Sequence, residues 1–554
     1  MTLPPPVAAP GRRVIAVLRQ VLARDAVVLG AILVLAALLR VVGLEARGRF
    51  DGDQGHDVLV LLQLVRDGTL PLLGPPTSIG DFHHGAAYYY LLAPVAWLSG
   101  ADPTAVVAWI AALGLAAVAA TWWFARMVAG PIAAGIAGLL MAVSPAAIEE
   151  STFIWNPNPI PLFAALALGC AWRAHAGGSP RWWVPAVLCA GMVVQLHVLG
   201  IVFLAPILGL AVVDVVGARR AGERGRARAI VGMSGGGLLL VALLYMPLLV
   251  HELTTGFEET RHVLDFLAGG GSEEVDRHPA LQVAITLLRV VGWPLVGLVT
   301  DAPFAALTVT AATLALGTWL AIRGRGAERA VARWLGLTVA WSAIALTVIA
   351  PSLQTVVAGL PNDHYHAYLD PVVVVLVALA SRAILAGDRA VGAPDGTPTG
   401  AGRWAVRGAS SVVVVALGAL VLLDLRLAPP ADPNGGWPGG PAAGERILDV
   451  AGSPVDVRQL PIFKTAEGVG FPVIVAGGRA FIATDRESAL RPIEPDALVV
   501  VACDRLFEDV MGAACGGPAE ADYLGRLVGA DAAIPDLVSR FPLSPRIEVS
   551  IYKP

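Results

Sequence analysis

The chain has 554 residues, 56% hydrophobic and 15% charged, with a mean hydropathy of +0.69. Soluble globular proteins carry about 25% charged residues, so this chain needs a bilayer to cover its apolar surface; disorder, a fibrous architecture and a small disulfide scaffold are excluded. The net charge of −4 leaves no basic footprint for nucleic acid, and apart from Lys464 and Lys553 every basic side chain is arginine.

The N-terminus lacks a small-residue cleavage site, so the first apolar run reads as a retained helix. With about 20 apolar residues per crossing, runs near 26–44, 104–125, 131–148, 159–175, 182–197, 199–216, 229–250, 303–322, 334–350, 369–386 and 409–427 predict about eleven spans. Two more runs, 85–99 and 281–300, are broken by proline or flanked by polar loops. Arginines cluster at 12–24, 126, 173–181, 219–228, 323–333 and 382–407. All six groups fall on the cytoplasmic side only if 85–99 and 281–300 lie along the outer surface without crossing. The expected architecture is an all-α polytopic membrane bundle with interfacial helices in its outer loops, in the plasma (inner) membrane, N-terminus cytoplasmic.

After residue 428 a linker rich in turns (Pro429, Pro430, Asp432, Pro433, Asn434, Gly435, Gly436) ends the membrane pattern. We expect residues 1–427 to form the membrane module and 428–554 a small extracytoplasmic α/β domain, with β-type runs such as 471–475 and 497–502. Cys503 and Cys515 can pair or stay reduced there; Cys170 and Cys189 read as apolar fillers inside spans.

Eight of the ten histidines fall in predicted outer loops and none in the C-terminal domain. Since histidine titrates near neutral pH and ligates metals, acid–base or metal chemistry is expected at the outer mouth of the bundle. The first outer loop is the densest segment. Asp51, Asp53 and Asp57 stand just after span one, followed by a stretch whose Leu59, Leu62, Leu64 and Val65 suit an interfacial helix ending at Arg66-Asp67-Gly68. A partly desolvated carboxylate there can act as a general base or hold a divalent cation. The loop continues through Gly74–Gly80 to Asp81-Phe82-His83-His84-Gly85 and Tyr88-Tyr89-Tyr90, the tyrosines fitting interface anchors or substrate contacts.

This order of features resembles the GT-C superfamily of polytopic glycosyltransferases that use lipid-linked sugars, in the branch of protein O-mannosyltransferases and lipid A aminoarabinose transferases. Further matching stretches are Trp155-Asn156-Pro157-Asn158-Pro159, Gln195-Leu196-His197, Tyr245-Met246-Pro247, His251-Glu252-Leu253 through Gly256-Phe257 to Arg261, and His364-Tyr365-His366 before Pro371. The resemblance covers most of residues 26–386 and implies an extracytoplasmic site with an essential first-loop acid. Asp53 matches that acid, while Gln54 stands where the family usually has Glu; Asp51 or Asp57 can compensate.

The implied activity is transfer of a hexosyl or pentosyl unit from a polyprenyl-phosphate donor to a lipid, glycan or protein acceptor. Asp53 is the expected base, with Asp51 beside it. Gln54, His83, His84, Glu252, Arg261, His364, Tyr365 and His366 are candidates for substrate contacts, Arg261 for the leaving phosphate. No cofactor is required by the sequence, though a divalent cation remains compatible with it. Direct displacement by a base-activated hydroxyl inverts the anomeric centre. The rival readings are an uncoupled lipid or glycan transporter or flippase, and a non-catalytic glycan-binding scaffold. Span interiors almost free of ionisable residues disfavour ion-coupled transport.

Overall fold

The computed structural model describes residues 10–77, 82–270, 277–355, 362–387, 400–429, 432, 436–437, 439–528 and 533–554. Residues 78–81 of the first outer loop, Pro430, Pro433, Asn434 and Gly435 of the linker, and Arg389 lie outside them.

Among the described residues eight helices are long and apolar enough to cross a membrane: Pro103–Val143, Val198–Arg220, Arg224–Leu244, Pro279–Val296, Pro303–Arg323, Gly326–Ile349, Asp363–Leu385 and Gly408–Leu427. Helices Pro10–Val41, Ile160–Gly177 and Trp183–Leu196 pack with them. Two predicted spans merge in the 41-residue helix Pro103–Val143, which starts where Asp102 accepts the N–H of Ala105 at 2.9 Å and breaks at Gly130 (φ 82°) before Pro131. Proline has no N–H to continue the ladder, and glycine tolerates positive φ, so the break is local and chemical.

The 85–99 run forms the helix Ala87–Ser99, whose 13 residues are too short for a crossing. The 281–300 run forms Pro279–Val296, which is long enough, so the count of eleven is not fixed by length alone. Its partners nevertheless lie at one end of the bundle. Gln354 donates to Gln282 O at 3.3 Å, Arg289 grips Asp363 at 2.6 Å, and a side chain on Gly297 would meet Pro145.

That same end gathers the loops that carry most of the histidines. The opposite end is tied by Arg126–Asp25 and Arg382–Glu328 pairs, both at 2.8 Å.

The C-terminal region is a five-stranded sheet in the order β2-β1-β3-β5-β4. It comprises β1 Val455–Leu460, β2 Ala480–Ile482, β3 Leu498–Asp504, β4 Asp536–Pro542 and β5 Ile547–Lys553. Strands β2, β1 and β3 are parallel; β5 runs antiparallel to β3, and β4 antiparallel to β5. The 497–502 run is strand as expected. The 471–475 run is not: it lies in the helix Glu467–Val475 between β1 and β2. Val473 faces the sheet core, while Phe471 packs into the membrane-bundle core with Trp437 and Phe50 at 5.1 and 5.9 Å. Burial on two sides overrides the strand preference of these residues. Cys503 and Cys515 form a disulfide, and Cys170 and Cys189 are free.

The helix Glu467–Val475 and the residues just before it cross the first-loop helix Gly52–Asp67 at very short range. A Cβ on Gly52 would sit 2.6 Å from Thr465 Oγ1, one on Gly55 would land on the Glu467 carbonyl, and one on Gly468 would sit 2.5 Å from the Asp51 carbonyl carbon. Only hydrogen fits at all three places. Gly55→Val should therefore lower stability by about 1–3 kcal/mol, seen as a lower melting temperature of the purified protein in detergent. Gly232→Ala, whose Cβ meets nothing within 4 Å, should leave the melt unchanged or raise it.

Candidate functional site

The first-loop helix is set by its own N-terminus. Asp51 is the N-cap, and Gln54, three residues on, accepts the Asp51 N–H on its Oε1 at 3.2 Å. Gln54 also donates Nε2 to Ile154 O at 2.8 Å, so this buried side chain fastens the first loop to the 144–159 loop. The arrangement leaves Asp53 on the first turn with its side chain open to solvent.

The surroundings of Asp53 decide its chemistry. The protein mass around it and then the charge of Asp51 raise its pKa to about 6, with Lys464 and His56 pulling the other way. His56 Nδ1 lies 2.9 Å from Glu467 Oε1. Burial alone would lower the His56 pKa, but its hydrogen bond to Glu467 and that residue's charge outweigh this and bring it up to about 8. Asp57, fully buried, accepts hydrogen bonds from Tyr88 at 3.0 Å and Tyr89 at 2.9 Å. Burial lifts it to about 7 against the opposing effects of His56 and the two hydroxyls. Tyr88 and Tyr89, read from sequence as interface anchors or substrate contacts, thus hold a buried carboxyl.

A second group adjoins the first through Ile154 and Trp155. The Trp155 ring lies 4.0 Å from His364, His364 lies 4.4 Å from Tyr365, and His197 stacks between His84 (4.6 Å) and Tyr365 (4.9 Å). The N–H of Val198 donates to His84 Nδ1 and that of Leu199 to His197 Nδ1, both at 3.3 Å. Both rings therefore carry their proton on Nε2. Burial, reinforced by neighbouring imidazoles, pushes both pKa values down and keeps them neutral.

The remaining candidates separate from these. His83 bonds Glu259 through Nδ1 at 2.9 Å, and Glu252 accepts the Thr260 N–H at 3.0 Å. Arg261 is exposed and donates to its neighbour Gly256 O, so its guanidinium is engaged locally instead of facing Asp53. His366 is fully buried and bonds Asp363, which Arg289 also grips. Among the described residues no group of three or more His, Cys, Asp or Glu side chains is placed to hold a metal ion.

Sequence reading missed Lys464, Thr465, Glu467 and Arg546, all from the C-terminal region. Arg546 binds Asp504 through Nε at 2.7 Å and reaches to 4.0 Å from Asp51. The one sequence signal was the Gly52–Gly55 spacing, which puts two bare positions on one helix face.

The profile of the dolichyl-phosphate-mannose-protein mannosyltransferase family matches residues 83–250. No curated protein matches the chain in sequence. The chain has the fold of ArnT from Cupriavidus metallidurans, solved bound to undecaprenyl phosphate. The TM-score is 0.56 at 13% identity, over 94% of this chain and 97% of that one. The apo state of the same protein gives the same values. The likeness to the GT-C superfamily, in its ArnT-like and mannosyltransferase-like branch, is thereby borne out.

A raised histidine pKa stabilises the fold fully below the unfolded value of 6.5, and the contribution is lost as pH rises through about 8. His56→Ala should therefore lower the melting temperature most at pH 6 and scarcely at all at pH 9. A penalty that does not change with pH would contradict the His56–Glu467 assignment.

Proposed function

We propose that the protein is a membrane glycosyltransferase that moves a sugar from a polyprenyl phosphate to an acceptor hydroxyl on the extracytoplasmic face, with Asp53 as general base. The observation that carries this reading is Asp53 itself. It is an open carboxylate of raised pKa, at the bundle end where the first loop, the 144–159 loop, the 362–369 segment and the C-terminal region meet. The ArnT-like fold and the partial match to a mannosyltransferase profile support it.

In this account the acceptor hydroxyl comes within about 3 Å of an Asp53 oxygen, which takes its proton as the acceptor oxygen attacks the anomeric carbon. The donor's carbon–oxygen bond breaks on the opposite side, inverting the centre. Asp51 and Asp57 keep the Asp53 carboxylate from becoming too weak a base. Neutral His84, together with His364 and Tyr365, offers hydrogen bonds to sugar hydroxyls, while Gln54 positions the loop. His83 and Glu252 shape the outer wall through Glu259 and Thr260.

Asp53→Asn should reduce transfer from labelled polyprenyl-phosphate sugar in membranes by about 10²–10⁴-fold. In the wild type the rate at limiting substrate should climb as pH rises through about 6, as Asp53 loses its proton. Unchanged transfer by Asp53→Asn would refute the assigned base.

A further inference from the structure

The end of the bundle opposite the histidines carries positive charge that the fold leaves unanswered. Helices Val198–Arg220 and Arg224–Leu244 pack side by side and are joined by the turn 221–223. From Arg219 to Arg228 this hairpin tip holds five arginines and one acid, Glu223. Arg226 lies 3.7 Å from that acid, and its guanidinium also covers Gly178, where a Cβ would stand 3.5 Å from both Nη atoms. The other four, Arg219, Arg220, Arg224 and Arg228, are exposed and have no carboxylate partner among the described residues. Other arginines at this end are held: Arg126 by Asp25, Arg382 by Glu328, and Arg173 over the Trp182 ring at 4.7 Å. Like charges gathered in this way repel until a counter-charge arrives from outside the chain.

The surface beside the four arginines points to the source of that counter-charge. On the first helix Val212, Val213 and Val216 are exposed, and Arg220 follows Val213 and Val216 at spacings of seven and four residues, on the same face. On the second helix Arg224, Arg228, Val231 and Leu238 follow one another at spacings of four, three and seven residues, and Val231 and Leu238 are exposed. Each helix therefore presents an apolar stripe that ends in arginine. A free anion would match the guanidiniums and leave the valines in water. A phospholipid matches both, with its acyl chains along the stripes and its phosphate at the arginines, whose planar fork fits phosphate oxygens.

We propose that this hairpin tip is a seat for an anionic phospholipid of the surrounding leaflet, with Arg220, Arg224 and Arg228 as the phosphate ligands. The seat lies outside the transferase reading and does not depend on it. The headgroup must be anionic because a zwitterionic lipid brings its own cation to the phosphate, whereas phosphatidylglycerol leaves that charge for the protein. The ligands come from both helices, so an occupied seat ties their ends together.

The test is binding of phosphatidylglycerol to the delipidated full-length protein in detergent, read as lipid retained in native mass spectra and as a shift in melting temperature. Wild type should retain phosphatidylglycerol and melt higher with it. Phosphatidylcholine, with the wrong headgroup charge, and glycerol 3-phosphate, with no acyl chains, should do neither. Replacing Arg220, Arg224 and Arg228 together by Gln should weaken phosphatidylglycerol binding by roughly 100-fold, the combined loss of three arginines at an anionic lipid surface. Replacing Arg323, Arg325 and Arg329 by Gln removes the same charge from the neighbouring hairpin tip and should leave the affinity close to wild type. Equal binding by wild type and the Arg220/Arg224/Arg228 variant would overturn the seat. Equal losses in the two triple variants would also overturn it, since charge alone would then account for the binding. So would a wild type that binds phosphatidylcholine or glycerol 3-phosphate as tightly as phosphatidylglycerol, a comparison that needs no variant.

Discussion

Much of this molecule depends on how closely two helices approach. The first-loop helix and the segment 464–468 touch backbone to backbone because Gly52, Gly55 and Gly468 carry no side chains. The contacts that the C-terminal region makes around Asp53 follow from that approach. It brings Glu467 to His56, Lys464 to the turn of Asp53, and Arg546 toward Asp51. A methyl group at any of the three glycines would push the sheet outward, and these polar contacts would be lost together because they share one interface.

Charge is sparse in this chain, and several of its buried charges are paired. Arg289, Asp363 and His366 lock one interior junction, while Asp456 and Arg458 bond each other inside β1. Neutral imidazoles stack where a sugar is proposed to lie, and the carboxylates concentrate on one face of a single helix. Asp53 and Lys464, neither of them in an ion pair among the described residues, come from distant parts of the sequence and lie close enough for the Lys464 charge to act on the Asp53 carboxyl. That juxtaposition separates a site with chemical capacity from the structural ion pairs around it.

The membrane bundle was legible in the sequence because apolar runs of span length admit few alternatives. The apolar side of the first-loop helix and strand β3 were readable from local pattern for the same reason. The run 471–475 misled because β-branched residues also serve a helix buried on both sides. The 281–300 run has the composition of a span, while its partners Gln354, Asp363 and Pro145 belong to one end of the bundle. In the site, Asp53, His84, His364 and Tyr365 stood out by residue type and order. Lys464 and Glu467 did not, since they reach the first loop across roughly four hundred residues and nothing local marks such a contact. Arg261 was attractive for its charge and position, but its guanidinium turns back to Gly256.

The central claim is that this protein uses a lipid-linked sugar as donor. The most direct measurement is release of polyprenyl phosphate by the purified protein in proteoliposomes, across a panel of polyprenyl-phosphate hexoses and pentoses supplied with envelope lipid, glycan and peptide acceptors. The account predicts that at least one donor yields polyprenyl phosphate together with a glycosylated acceptor. Folded protein that binds glycan or moves lipid across the bilayer, yet cleaves none of the donors, would contradict it.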